Sequence, residues 1–169
     1  DLLQGYTDVD GDQLSVSDLT ADNGILTDMQ NGTWEFVPNS NYNGIISINY
    51  FVDDGQGMKV FANNSFVLAA INDAPILSDD SYQLPPGRED NSYIITKLQL
   101  LTGFSDVDQD ELSIQNLSID QGSIQPINGN EWEIQTELNF FGQINLSYQV
   151  SDGRLSIEAE KSVQIASVN

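Results

Sequence analysis

Apolar and polar residues alternate with a period of two along much of the chain. The runs are Leu14-Ser15-Val16, Trp34-Glu35-Phe36 and Ile46-Ser47-Ile48-Asn49-Tyr50-Phe51-Val52, then Leu112-Ser113-Ile114, Trp132-Glu133-Ile134 and Ile144-Asn145-Leu146-Ser147-Tyr148-Gln149-Val150. Successive side chains of a strand point to opposite faces, so each run predicts a strand with one buried face. Between the runs stand Asp22-Asn23-Gly24, Asn31-Gly32, Asn43-Gly44, Asp54-Gly55, Gln121-Gly122, Asn128-Gly129 and Asp152-Gly153, residue types that accept the positive φ of tight turns. No stretch carries a helical period. The pattern therefore predicts an all-β fold, a sandwich with Greek-key connections. Trp34, Trp132, Tyr50 and Tyr148 fall on the inward phase and read as core rather than as a sugar platform; Phe51 falls on the outward phase, where its counterpart is Gln149.

The pattern occurs twice. Leu2 to Gly55 aligns with Leu100 to Gly153 at an offset of 98 without a gap, and 21 of 54 positions are identical. Average residue usage gives about 3 or 4 by chance, so two copies of one unit are expected. The boundary falls at Ile71-Asn72-Asp73-Ala74-Pro75, where proline favours a stiff extended connector. This gives repeat 1 at 1–72 and repeat 2 at 73–169. Residues 76–99, with Ser81-Tyr82-Gln83-Leu84 and Tyr93-Ile94-Ile95, read as opening strands of the second copy, and the first copy has no matching segment. Either a preceding segment or a strand added at the sheet edge would complete it. Val168-Asn169 aligns with Ile71-Asn72, so a further linker is expected there.

Composition narrows the chemistry. The net charge of −21 comes from 26 acidic and 5 basic residues, so a nucleic acid or an anionic lipid surface is not an expected partner. With no cysteine, the small units are not stapled by disulfides, which leaves metal as the main candidate staple. Histidine is absent too, which removes Cys/His zinc sites and His-based triads or dyads. No apolar run approaches membrane-span length and no signal-like segment opens the chain, so no membrane insertion is expected. Four N-x-S/T triplets, at Asn31, Asn63, Asn116 and Asn145, are explained by the abundance of asparagine.

Asp8-x-Asp10-x-Asp12 places three carboxylates at alternating positions before a strand, and Asp106-x-Asp108-x-Asp110 repeats it. Such spacing can turn several oxygens toward one hard cation, calcium before magnesium. It is not an EF-hand loop, because Gly11 stands fourth rather than sixth and Leu19 occupies the twelfth place. Gln109 replaces Gly11 in the second copy, from which the position is expected not to need positive φ. A second acidic turn recurs at Asp53-Asp54-Gly55 and Ser151-Asp152-Gly153; Asn72-Asp73 sits at the linker and Glu89-Asp90 in the loop that follows. The candidate metal ligands are therefore Asp8, Asp10, Asp12, Asp53, Asp54, Asn72, Asp73, Glu89, Asp90, Asp106, Asp108, Asp110 and Asp152.

Asn72-Asp73-Ala74-Pro75, Glu89-Asp90, Leu-Leu-x-Gly before Asp-Val-Asp-x-Asp-x-Leu, then Trp, Asn-Tyr-Asn-Gly and Tyr-x-Val-x-Asp-Gly follow one another in order. Together they resemble the cadherin-like tandem repeats of large bacterial surface adhesins, including RTX-type and biofilm-adhesin proteins. That resemblance implies immunoglobulin-like β-sandwich domains joined end to end, calcium near the junctions and secretion to the cell surface. The second copy departs from the pattern at Gln109, Phe140-Phe141 and Ser151, the last of which removes a carboxylate. The leading expectation is a monomeric, non-catalytic extender whose partners are neighbouring repeats of the same polypeptide, any host or matrix ligand being held elsewhere in the full protein. The alternative is a sugar- or peptide-binding domain of such an adhesin, though neither copy carries an inserted site within the matched region. A carboxylate-pair hydrolase is disfavoured because these duplicated loops offer no sheltered pocket to raise one pKa.

Overall fold

The computed structural model describes residues 1–168 and is almost entirely β-sheet; Asn169, the residue aligned with Asn72, lies outside the described residues. The chain divides into two compact units between Ile71 and Asn72.

The first unit contains β1 (Ser15–Ala21), β2 (Gly24–Asp28), β3 (Trp34–Pro38), β4 (Gly44–Asp53) and β5 (Lys59–Leu68). β1, β4 and β5 form an antiparallel sheet, while β2 and β3 form a separate hairpin. The second unit opens with β6 (Ile76–Leu77), β7 (Gly87–Arg88) and β8 (Tyr93–Thr96), followed by α1 (Lys97–Leu101) and β9 (Phe104–Ser105). β10 (Ser113–Ile119), β11 (Ser123–Asn128), β12 (Glu131–Gln135), β13 (Gly142–Ser151) and β14 (Ser156–Ala166) complete it. Its two main sheets run β10-β13-β14-β7 and β11-β12-β8. The chain crosses between them after β10 and again after β12, which is the Greek-key connection that the turn pattern predicts.

Burial follows the period-two pattern. In β13 the residues Ile144, Leu146, Tyr148 and Val150 are buried while Asn145 and Ser147 face water. They join Ile95, Leu100, Ile134, Val163 and Ile165 in one core, with Trp132 packed against it. The first unit buries far less: Tyr50, Val52 and Ala62 form its cluster, flanked by partly buried Leu2, Leu3, Leu14, Val16, Leu19 and Ile48. Trp34 is only partly buried. Phe51 lies opposite Phe61 across the β4–β5 ladder, and their rings meet edge to face at 5.7 Å. At the matching pair in the second unit, Gln149 donates from Nε2 to Oε1 of Glu158 at 2.7 Å. An outward aromatic thus pairs within its own sheet.

Two local expectations are corrected. Ser81-Tyr82-Gln83-Leu84 is not a strand: Pro85 and Pro86 follow it, lack N–H donors and do not sustain a ladder, so the segment runs irregularly while still burying Leu84. A short helix, α1, occurs where no helical period was read. Thr96 caps it by accepting from the Gln99 N–H while the Gln99 side chain accepts from the Thr96 N–H. The T-x-x-Q spacing is a capping box, a signal that does not depend on periodicity.

One hydrogen bond recurs across the repeat. The Tyr50 hydroxyl donates to the Leu2 carbonyl at 2.8 Å and the Tyr148 hydroxyl to the Leu100 carbonyl at 2.9 Å. Each ties the segment ahead of the acidic triplet to the long central strand. Burial, the larger cause, together with the nearby negative charge of Asp80, pushes the Tyr148 hydroxyl above its ordinary value of 10.0. The neutral, donating form is therefore favoured in the folded state, and its contribution is complete below pH 10 and lost as pH rises through the raised value. Tyr148→Phe should cost about 1–3 kcal/mol in urea unfolding, because it strands a buried carbonyl. Tyr50→Phe should cost less, since Leu2 is only partly buried and water can replace the donor.

Candidate metal centre

Each acidic triplet is a loop folded around the first of its aspartates. In the second unit one oxygen, Oδ1 of Asp106, accepts from the backbone N–H of Asp108 at 2.8 Å and of Asp110 at 3.3 Å. In the first unit Oδ1 of Asp8 accepts from Asp10 at 2.8 Å and Asp12 at 3.1 Å. A short carboxylate that captures amides two and four residues ahead competes with a strand ladder, which is why β1 and β10 begin only after the triplet. The turn needs a left-handed residue. Gly11 has φ +82° and Gln109 has φ +64°, so the expectation that the glutamine frees this position from positive φ is incorrect. The two amide bonds to Asp106 hold the loop in that conformation at a strain cost of about 1–3 kcal/mol for a non-glycine residue.

Six predicted ligands of the second unit lie at the same end of it, linked pairwise by hydrogen bonds. The Asp73 N–H donates to Oδ2 of Asp108 at 2.8 Å. Asn72 donates from Nδ2 to Oδ2 of Asp152 at 2.8 Å and to the Asp73 carbonyl at 3.0 Å. Asp152 in turn accepts at Oδ1 from the N–H groups of Arg154 and Leu155 at 2.6 and 2.7 Å. Asn72, Asp73, Asp106, Asp108, Asp110 and Asp152 therefore share one end of the unit. Glu89 and Asp90 do not. They follow β7, which pairs with the far end of β14 at Ile165 and Ala166, whereas Asp152 precedes the near end at Ser156. At about 3.3 Å per residue, the length of β14 separates them by roughly 30 Å. Glu89 is buried there and accepts from the Val168 N–H at 2.6 Å, while Asp90 accepts from the Asn139 N–H at 2.8 Å.

In the first unit Asp53 has a local partner. Its Oδ2 lies 3.3 Å from Nζ of Lys59, the residue directly opposite it, and Lys59 also reaches Asp18 at 3.2 Å. The second unit has Ser151 opposite Ser156 at the same place. The carboxylate missing at Ser151 thus disappears together with the lysine that faces its counterpart. Asp54 closes its own turn by accepting from the N–H groups of Gln56 and Met58 at 2.8 and 3.1 Å.

Among the described residues, no three acidic side chains converge closely enough to hold a metal ion. One donor nevertheless stands out. Oδ2 of Asp106 is buried and is the one buried side-chain polar atom without a hydrogen-bond partner among the described residues. Burying a carboxylate oxygen unpaired is costly. The same end of the unit carries the carboxylates of Asp108 and Asp152 and the Asn72 side-chain oxygen, which accepts from the Arg154 guanidinium at 3.4 Å; carboxylate and amide oxygens suit a hard divalent cation better than a thiophilic one. The triplet spacing made this loop visible in the sequence. The buried seat of Glu89 had no sequence signal, since it depends on the pairing of β7 with β14 and on a hydrogen bond from Val168, 79 residues away.

The profile of the cadherin-like domain family matches residues 1–69 and 71–166, and the chain belongs to that family. No curated protein matches it. Among solved structures, it is similar to a variant of endo-fucoidan hydrolase MfFcnA4 from glycoside hydrolase family 107, at 25% identity and a TM-score of 0.44, over 95% of this chain and 24% of that one. Endo-fucoidan hydrolase MfFcnA9 of the same hydrolase family is similar at 19% identity and a TM-score of 0.36, over 88% of this chain and 28% of that one. The chain thus spans about a quarter of the length of these proteins.

The N–H of Arg154, then the Asn72 side chain and the Leu155 N–H, hold the Asp152 carboxyl below its ordinary value of 3.8. Backbone and side-chain donation from Asn145 does the same for Asp120. A depressed folded value means that the unfolded chain takes up the proton first, so this stabilisation is present above pH 3.8 and lost as pH falls through the folded value. Stability measured by urea unfolding should accordingly be level from neutral pH to about pH 4 and decline below it. Asp152→Asn should make that decline shallower.

Proposed function

We propose that this chain is a calcium-binding spacer of a bacterial surface or secreted adhesin, a non-catalytic pair of repeats that sets the reach and stiffness of a longer polypeptide in adhesion or biofilm formation. The observation that carries the reading is the partnerless buried oxygen of Asp106 inside a loop that the first unit repeats at Asp8. A bound calcium ion supplies two positive charges and accepts six to eight oxygen ligands at 2.3–2.6 Å. Asp106, Asp108 and Asp152, with the carbonyl oxygen of Asn72, would hold it in the second unit; Asp8, Asp10 and Asp12 would form the corresponding set in the first.

The roles of the chain's own groups follow from their hydrogen bonds. Asp106 uses one oxygen to shape the loop and keeps the other free, so ligation need not cost loop structure. Asp73 donates its N–H to Asp108 and Asn72 donates to Asp152, so the first residues after the boundary are fastened to the same acidic end. Neutralising that end orders the connector as well as the loop. Adhesive contacts with a host or matrix belong elsewhere in the polypeptide on this reading.

Calcium at a hundred times its dissociation constant should stabilise each binding unit by about 2.7 kcal/mol. Calorimetric melting in millimolar calcium and after chelation should show that difference, and small-angle scattering should show a broader distribution of shapes in the chelated chain. Superimposable melting curves and scattering profiles would sink the proposal.

A further inference from the structure

β14 carries a lysine where its alternation calls for an apolar residue. Ala159, Val163 and Ile165 are buried on the core-facing phase, and Lys161 falls between the first two, directly opposite buried Leu146. Its side chain is only 4% exposed. A lysine this deep is normally paired. Here the one ion-pair partner among the described residues, Oδ1 of Asp80, is 4.0 Å away, beyond hydrogen-bond length, and belongs to a side chain that is itself 74% exposed. The centroid of the Tyr82 ring lies 5.6 Å from Nζ. Lys161 lines a recess of about 240 Å³ together with Asp80, Tyr82, Gln143, Glu160 and Ser162.

The repeat does not account for this recess. By strand register the counterparts of Lys161 and Glu160 are Asn64 and Asn63, and the 98-residue offset sets Gln143 against Ile45. The first unit therefore has neither the ammonium nor the carboxylate at these places. Residues 80–84 and 160–162 also lie outside the span over which the two copies match without a gap. A role shared by both copies does not explain groups that only one of them carries.

The free hydrogen-bonding groups select the ligand. Asn145, also in the lining, is already engaged: its Nδ2 donates to Asp120 at 2.6 Å and its Oδ1 accepts from the Gln143 amide at 2.7 Å. Asp80 and Glu160 offer acceptors, the Tyr82 and Ser162 hydroxyls can do both, and Lys161 offers donors. An anion would meet two carboxylates in a chain of net charge −21, and a cation would meet the ammonium. An apolar guest would leave the ammonium without an acceptor. A neutral polyhydroxyl compound donates to the carboxylates and accepts from the lysine at once. The volume falls below the roughly 300–1,000 Å³ of pockets for drug-sized ligands, which suits a single ring.

We propose that this recess of the second unit binds one neutral sugar residue, with Lys161 donating to a sugar oxygen and Asp80 and Glu160 accepting from neighbouring hydroxyls. The site goes beyond the spacer reading, which leaves adhesive contacts to other parts of the polypeptide. It shares no residue with the candidate metal centre, so the failure of either leaves the other standing.

The test is a titration of the intact chain, in calcium, with the methyl glycosides of glucose, galactose, mannose, fucose and xylose, followed by backbone amide chemical shifts. At least one glycoside should give saturable shifts confined to residues 80–84, 143–145 and 160–162, with the first unit unmoved. Lys161→Met keeps the apolar stem and removes the charge, and should weaken that binding about tenfold or more, the order expected for losing a charged hydrogen bond. Glu160 is exposed, so Glu160→Gln reads the same site without disturbing the core and should also weaken binding. Tighter binding of a disaccharide ending in the same sugar assigns a glycan chain as the source, and equal binding a free sugar; both support the site. The proposal is overturned by the absence of saturable shifts with every glycoside, by shifts centred elsewhere, by binding of glucuronate or glucosamine in place of the neutral sugars, or by unchanged affinity in both variants.

Discussion

The acidic end of the second unit depends on how Asp106 divides its carboxylate. One oxygen binds two backbone amides and thereby fixes the triplet loop, the left-handed Gln109 and the start of β10. The other is buried and bonds to nothing. In a chain of net charge −21 the neighbouring carboxylates repel one another, and only donors or cations can hold them together. Backbone N–H groups take up part of that task at Asp108 and Asp152, and the Asn72 amide takes up more. What remains unpaired is a single buried oxygen, which on the proposed reading is a ligand of a hard cation.

The rest of each unit positions that loop. The tyrosine of the long central strand reaches back 48 residues to a leucine carbonyl in both copies, and so pins the chain just ahead of the triplet. Greek-key sheets then place the connector, the triplet and the turn after the central strand at one end, with Glu89 and the closing residues at the other. The copies differ most in what covers their cores. A full set of strands gives the second unit a large buried cluster; the first has a smaller one and an apolar cleft.

Much of this was legible in the residues. Alternation placed the strands, Trp132 and Tyr148 fell on the core side, and the duplicated triplets pointed to the loops. Other features were not, for physical reasons. Ser81–Leu84 alternates like a strand, but the ladder is blocked by the two prolines after it. α1 is one turn held by its cap and too short for a period to show. The strain at Gln109 is imposed by amide bonds to Asp106, which composition does not reveal. Glu89 reads in the sequence as a candidate metal ligand beside Asp90, and only the pairing of β7 with β14 buries it beside the Val168 amide, away from the triplet loop. In each case a contact distant in sequence, or a backbone constraint, outweighed local pattern.

The central claim is that the free oxygen of Asp106 is a cation ligand. Calorimetric titration of calcium into the intact chain and into Asp106→Asn tests it most directly, because the amide side chain keeps the Oδ1 acceptor that shapes the loop and removes the charge. The expected result is saturable binding by the intact chain and loss of one site in Asp106→Asn, with binding by the first unit retained. Identical isotherms for the two proteins would contradict it.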